Sequence, residues 1–325
     1  MRRGTVISVV TPVYNEKGSV GPLLRELAEA FESLPYQFEL IIVNDGSDAV
    51  TTEILDRICD EDDRVGVVHL SRNFGHQAAL SAGIDEADGD AVLVMDADLQ
   101  HPVAVIPVMI REWEAGFDVV HAVRRIEKSA TLLKRTASRG FYRLFNLLSD
   151  THIPANGADF RLMDRSAVDA LKTLPERTRF LRGLSNWIGF SQTQVPYNEL
   201  PRHSGIPKYS LRKQIGLGIE GITSMSTRPL SFLFGAGVML TVGAMIGLAA
   251  LIATPLIEGI PVDWAPVTLA SIAALGGLIL TAIGIVGLYV GAVYREVQGR
   301  PLYLIRRRNG LVSKKRAHLR EAARR

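Results

Sequence analysis

Cysteine is almost missing from this 325-residue chain, where Cys59 stands alone. No internal disulfide can form, which points to a reducing compartment. No G-x-x-x-x-G-K-[ST] loop occurs, and no G-x-G-x-x-G follows the first predicted strand. P-loop and dinucleotide readings therefore lose their main support. Neither His76 nor His101 has a second histidine or cysteine at metal-ligand spacing, so both are expected to shape local turns. A signal peptide is not expected either. MRRGTVISVVTPVYNE opens with two arginines, but Pro12, Asn15 and Glu16 end its apolar stretch too early.

Charge is absent over two long stretches, from Arg228 to Glu258 and from Asp263 to Arg295. A bilayer crossing needs about 20 apolar residues, so each run is long enough to span, and residues 229–294 read as a two-helix hairpin. Buried core helices are the soluble alternative. Gly243/Gly247 and Gly287/Gly291 have the spacing that favours close helix contact, within one chain or in a homo-oligomer. Trp264, Tyr289 and Tyr294 sit near the ends, where aromatic anchors belong. Residues 295–325 hold eleven Lys/Arg against two Glu, a net +9 in a chain of net +3, so the remainder carries −6. Packed behind a hydrophobic block, these cations fit anionic lipid headgroups rather than nucleic acid. The link EGIPVD is acidic. The positive-inside rule then puts both termini and the N-terminal domain on the cytoplasmic side of a cell (inner) membrane.

Upstream, VISVVTP, FELIIVND, VGVVHLS and DAVLVMD are short β-branched runs separated by stretches of helical periodicity. That alternation predicts an α/β domain with a mostly parallel sheet. Ligands bind such sheets at the carboxyl ends of the strands. TPVYNE, NDGS, SRNFGH and DADLQ all fall there. Asp96, Asp98 and Gln100 offer carboxylate and amide oxygens at alternate positions, which suits a hard cation such as Mg²⁺ or Mn²⁺. The same tripeptide alone also suits a solvated turn. Asp45 could accept a hydrogen bond from a base or ribose, or simply serve an Asn-Asp-Gly-Ser turn.

TPVYNE, NDGS, DADLQHP and ADFRLMDR resemble the motifs of family 2 glycosyltransferases with a GT-A (Rossmann-like) fold. Within that family the chain is similar to the polyprenyl-phosphate glycosyltransferases over roughly residues 5–210. The Q-x-x-R-W motif of processive synthases is missing. The resemblance implies that Pro12, Tyr14, Glu16, Val43 and Asp45 line a nucleotide pocket. It implies that Asp96 and Ala97 contact nucleotide or sugar, that Asp98 and Gln100 hold the metal, and that Arg124 binds phosphate. Arg202 and Lys208 match a basic pair on a loop closing over the diphosphate. Asp159 matches a position that acts as base or orients sugar hydroxyls. Where many relatives have glycine before V-R, this chain has Ala122.

The implied reaction moves a sugar from a nucleotide-sugar, a UDP-sugar rather than GDP-mannose, to a polyprenyl phosphate, with inversion. Arg139, Arg143, Arg161, Arg179 and Arg182 are candidates to cradle the acceptor phosphate, or are surface cations. A helix over about 130–150 and another over 211–228 have amphipathic patterns that suit the headgroup layer, though the first could equally cover the sheet. A nucleotidyltransferase and a non-catalytic adaptor or flippase partner are the rival readings. The first lacks its Gly-rich signature here, and the second does not account for the D-x-D, Gln100, Arg202 and Lys208.

Overall fold

The computed structural model describes residues 5–125, 157–176, 179–201, 223, 226–258 and 264–312. The expected interfacial helix near 130–150, nearly all of the 211–228 segment, Arg139, Arg143, Arg202, Lys208 and the tail beyond 312 lie outside the described residues.

Strand β1 (Val6–Val13) opens the chain, and seven of its eight residues are aliphatic, Pro or Thr that pack on both faces. Helix α1 (Val20–Glu32) buries Val20, Leu23, Leu27 and Phe31, a stripe at helical spacing. The alternation continues through β2 (Gln37–Asn44), α2 (Ala49–Glu61), β3 (Val65–Leu70), α3 (His76–Glu86), β4 (Ala91–Val94), α4 (Ile106–Glu114) and β5 (Val119–Arg124). Then follow β6 (Gly157–Asp164), α5 (Arg165–Thr173), α6 (Leu181–Trp187) and β7 (Gln192–Tyr197). Eight strands form one sheet in the order β7-β5-β6-β4-β1-β2-β3-β8. Only β6 and the last strand, β8 (Ile305–Gly310), run antiparallel to their neighbours.

Adjacent strand residues feed opposite faces. Ile7, Val9, Leu40, Ile42 and Leu93 join one core with Leu23, Leu27 and Ile106. Val10, Ile41, Val43 and Val92 join the other with Leu80, Ile84, Val168 and Leu184. Burial on both faces explains why these strands read as continuous apolar runs.

Helices α7 (Arg228–Glu258) and α8 (Trp264–Val297) carry the two charge-free runs. The Tyr289 hydroxyl donates to the Ser226 carbonyl at 2.7 Å, so the end of α8 lies back against the start of α7. Among the described residues one stretch is long and apolar enough to cross a membrane, Leu275–Val297, and none of its most apolar window is buried. The expected pair of spans is thus matched by one span-length helix and a shorter apolar stretch, Arg228–Ala244.

The sequence also groups all of residues 295–325 as a basic tail, and here the structure differs. Residues 305–310 pair with β3 as an edge strand. Arg307 reaches Asp56 at 2.5 Å, and Arg308 reaches Glu86 at 2.8 Å. These cations neutralise carboxylates of the N-terminal domain, which is where part of its negative charge goes.

Candidate active site at the strand ends

Strand register assembles the site. Val94, the last residue of β4, faces Arg161 of antiparallel β6. Continuing that register by two residues sets Asp96 across from Asp159. Asp159 is only 2% exposed, yet it is fully ligated by cations and an amide. Arg161 Nη2 donates to Oδ1 at 2.5 Å, Arg182 Nε to Oδ1 at 3.1 Å, Arg182 Nη2 to Oδ2 at 2.8 Å, and Gln77 Nε2 to Oδ2 at 3.1 Å. Burial works against its charge, but Arg182 and Arg161 outweigh burial and hold the carboxyl far below its ordinary range. It stays ionised and is a weak proton acceptor. Arg161, also 2% exposed, spans on to the Leu181 carbonyl and Ser185 hydroxyl, both at 2.7 Å.

His76 begins α3, directly after Gly75 at φ 98°. Its Nε2 lies 2.7 Å from Asp96 Oδ1 and its Nδ1 lies 3.8 Å from Asp159 Oδ2. Burial opposes the ring's charge, but the Asp96 carboxylate prevails and lifts His76 to about 9. Asp96 in turn is brought down to about 2, His76 overcoming the effect of burial. The Asp96 backbone N–H donates to His101 Nδ1 at 3.1 Å, which leaves the ring proton of neutral His101 on Nε2. Burial pushes the His101 pKa down, and its ring stacks on Phe160 with centroids 4.9 Å apart.

Between Asp98 and Gln100, Leu99 adopts φ 62°, a left-handed conformation that costs an aliphatic residue about 1–3 kcal/mol. The turn folds Asp98 Oδ1 onto the Gln100 backbone N–H at 3.1 Å. The donor set is all oxygen, one carboxylate and one side-chain amide, and it fits Mg²⁺ or Mn²⁺. Among the described residues no three His, Cys, Asp or Glu converge as a complete metal cage. Such a site leaves coordination positions for ligand oxygens. Arg124, at the same edge on β5, donates to the Tyr197 hydroxyl at 3.2 Å and pairs with Glu199 at 3.2 Å.

The loops after β1 and β2 are tied together. Asn15 N–H donates to Ser47 Oγ at 3.1 Å, and Asn15 Oδ1 accepts from Asp48 N–H at 2.8 Å. Asp45 is 3% exposed and accepts from the backbone N–H groups of Phe74 at 2.7 Å and Gly75 at 3.0 Å. Gly46, at φ 69°, lets this loop approach Arg72 and Asn73, where a Cβ would come within 2.4 Å of backbone.

Residues 8–172 match the sequence profile described as glycosyl transferase family 2. The chain belongs to that family. It is 38% identical over 316 residues to the uncharacterized glycosyltransferase YkcC of Bacillus subtilis, covering 97% of this chain and 98% of that one. It is 40% identical over 301 residues to the SfII prophage-derived bactoprenol glucosyl transferase of Shigella flexneri, covering 93% and 97%. Among solved structures it is similar to the mannosyltransferase PcManGT of Pyrobaculum calidifontis in complex with GDP-Man and Mn²⁺, at 18% identity and TM-score 0.49, covering 90% and 87%.

In this family 2 glycosyltransferase the fold brings Asp96, Asp98, Gln100, Arg124, Asp159, Arg161 and Arg182 to one sheet edge. Tyr14 is 40% exposed beside them, with Pro12 and Glu16 partly exposed. Val43 and Ala97 are buried in the two cores, so neither side chain is open to a ligand. Arg179 does not join the group. It pairs with Asp85 at 3.5 Å, near the opposite end of α3 from His76. Sequence reasoning missed His76 and Gln77 as members of this group, while for Asp45 it left a turn role open beside the nucleotide role, and the oxygens of Asp45 do cap backbone N–H groups. The available signal was SRNFGHQ itself, a polar pair opening a helix after the third strand end.

Proposed function

We propose that this chain transfers a glycosyl unit, glucose first among candidates, from a UDP-sugar to a polyprenyl phosphate at the cytoplasmic face of a cell membrane, with inversion. The observation that carries the reading is the meeting of Asp96, Asp98, Gln100 and Arg124 at one sheet edge, in a chain that also bears an uncovered 23-residue apolar helix. The bactoprenol glucosyl transferase name of its relatives supports the lipid acceptor and the sugar.

An oxygen of the acceptor phosphate attacks the anomeric carbon, the bond from that carbon to the diphosphate breaks, and the nucleoside diphosphate leaves with the electron pair. A phosphate monoester has its second pKa near about 6, so the nucleophile is already ionised and a strong base is unnecessary. That accords with Asp159 held ionised by two arginines. Its role is to anchor Arg182, whose head is one-third exposed, where an acceptor phosphate or sugar hydroxyl could meet it. Asp98 and Gln100 would hold Mg²⁺ or Mn²⁺, which when bound draws charge from the diphosphate. Arg124 serves the same charge from β5, joined by Arg202 and Lys208. Two crossings with both ends cytoplasmic belong to the same proposal, supported by the hydrogen bond from the Tyr289 hydroxyl to the Ser226 carbonyl, which brings the end of α8 to the start of α7.

The test is turnover by the purified full-length chain with UDP-glucose, undecaprenyl phosphate and Mg²⁺ or Mn²⁺. UDP release should require the lipid phosphate, and mass spectrometry should find a hexose on it. Release that ignores the lipid, or no release with any nucleotide-sugar, defeats the reading.

A further inference from the structure

We propose that Glu199 competes with the donor's diphosphate for Arg124, so that a carboxylate of this chain sets how tightly the donor is held and how readily the nucleoside diphosphate departs. The proposal rests on the glycosyl-transfer reading above.

Arg124 is placed from the backbone up. Parallel strands β5 and β7 set it across from Tyr197, and the Arg125 N–H donates to the Tyr197 carbonyl at 2.8 Å. The Tyr197 hydroxyl accepts from Arg124 Nε at 3.2 Å. Tyr197 is itself buried, its ring edge-on to those of His101 and Phe160, so this end of the guanidinium is fixed. Arg124 Nη2 lies 3.2 Å from Glu199 Oε1, in the segment just past β7. The next residue, Leu200, donates its N–H to the Gln100 carbonyl at 3.1 Å. Glu199 therefore sits in a segment tied to both elements assigned to the diphosphate, Arg124 and the loop of Asp98 and Gln100.

Nε is committed to Tyr197, so the fork left for a two-pronged grip on phosphate is Nη1 with Nη2, and Glu199 stands at Nη2. The other ion pairs of the site differ in kind. Asp159 is sealed between Arg161 and Arg182, and separating such a pair would strand a buried charge. The Arg124 and Glu199 side chains are 40% and 32% exposed. An exposed pair contributes little to stability, so a diphosphate of greater charge can take the guanidinium from Glu199. A carboxylate at this place opposes the bound donor and the bound product alike, which favours release after transfer.

Glu199→Gln keeps the shape and removes the charge. In the full-length protein with Mg²⁺, it should bind UDP and inorganic pyrophosphate about fivefold more tightly by calorimetry, the size of one exposed ion pair. The KM for UDP-glucose should fall by a similar factor with no matching rise in kcat. A double-mutant cycle names the partner, because in an Arg124→Gln background Glu199→Gln should change neither affinity. A merely structural Glu199 would lower the melting temperature and would not tighten binding. Equal or weaker binding by Glu199→Gln, no detectable binding included, overturns the proposal. Tightening that persists without Arg124 overturns it too. If the unaltered enzyme glycosylates no lipid phosphate, the glycosyl-transfer reading fails by itself, and the pyrophosphate measurement still decides whether Glu199 competes for Arg124.

Discussion

Arg308 grips Glu86 with two hydrogen bonds, at 3.1 and 2.8 Å, across 222 residues of sequence and the whole apolar hairpin. Glu86 ends α3, the helix that His76 begins. The strand that follows the hairpin therefore holds the far end of the helix whose near end holds the site. Tyr303 adds a hydrogen bond to Asp85 at 2.8 Å beside it. Replacing Arg308 takes both of these hydrogen bonds from a carboxylate of 3% side-chain exposure. Arg308→Ala should cost about 1–3 kcal/mol in unfolding of the full chain. Arg308→Lys should recover only part, because one ammonium cannot reproduce the forked contact. Equal urea midpoints for Arg308→Ala and the unaltered protein would show that β8 is not held this way.

Asp45 offers a test of division of labour. Its two oxygens cap the backbone of the loop that launches α3. Asp45→Ala strands two N–H donors and should destabilise the domain by about 2–4 kcal/mol, while Asp45→Asn keeps one acceptor and should cost less. If Asp45 served only a nucleotide, both variants would melt normally and differ only in donor binding. Thermal unfolding without ligand distinguishes the two.

Stability should fall on both sides of neutrality, for opposite reasons. Burial holds His121 down at about 4, against an ordinary 6.5, with Arg161 adding to the effect. The folded state therefore resists a proton that the unfolded chain takes up, and stability is lost as pH falls from about 6.5 to about 4. The full loss from this group is about 3 kcal/mol. Burial also lowers His69 and His101, so they act in the same direction. His76 runs the other way. Its value near 9 means a contribution present below about 6.5 and lost as pH rises through 9. Chemical unfolding across pH should show His121→Gln flattening the acid limb and His76→Gln flattening the alkaline one.

The parallel sheet was legible because doubly buried strands need unbroken apolar runs, and FELIIVN or DAVLVMD can hardly be anything else. The strand-end rule then located the site before any contact was known. β8 was not legible. IRRRNG has no apolar alternation, since an edge strand pairs on one side only and its arginines find Asp56 and Glu86 across the fold. His76 was hidden for a related reason. A ligand or ion-pair partner recruited from a different strand leaves no local spacing to read, and His76 meets Asp96 only because α3 and β4 flank the same edge. Asp45 shows the converse, a residue whose position matched a binding motif while its oxygens serve the backbone.

Gly83 joins fold to function most directly. Mid-helix glycine normally costs about 1 kcal/mol against alanine, so its presence in α3 asks for a packing reason. A Cβ there would lie 2.3 Å from Val10 Cγ1 and 3.0 Å from Val43 Cγ2, side chains of the adjacent strands β1 and β2. The helix lies directly on the sheet at this point, and β-branched valines have few rotamers with which to give way. Overpacking of this kind costs about 1–3 kcal/mol, which outweighs the gain in helix propensity. Gly83→Ala should therefore destabilise the protein rather than stabilise it. Relief of the clash requires α3 to lift from the sheet, which carries His76 and Gln77 away from Asp96 and Asp159. The variant should thus lose activity at temperatures well below its own melting point. A Gly83→Ala enzyme that is more stable than the parent and equally active would show that α3 has room to spare at the sheet.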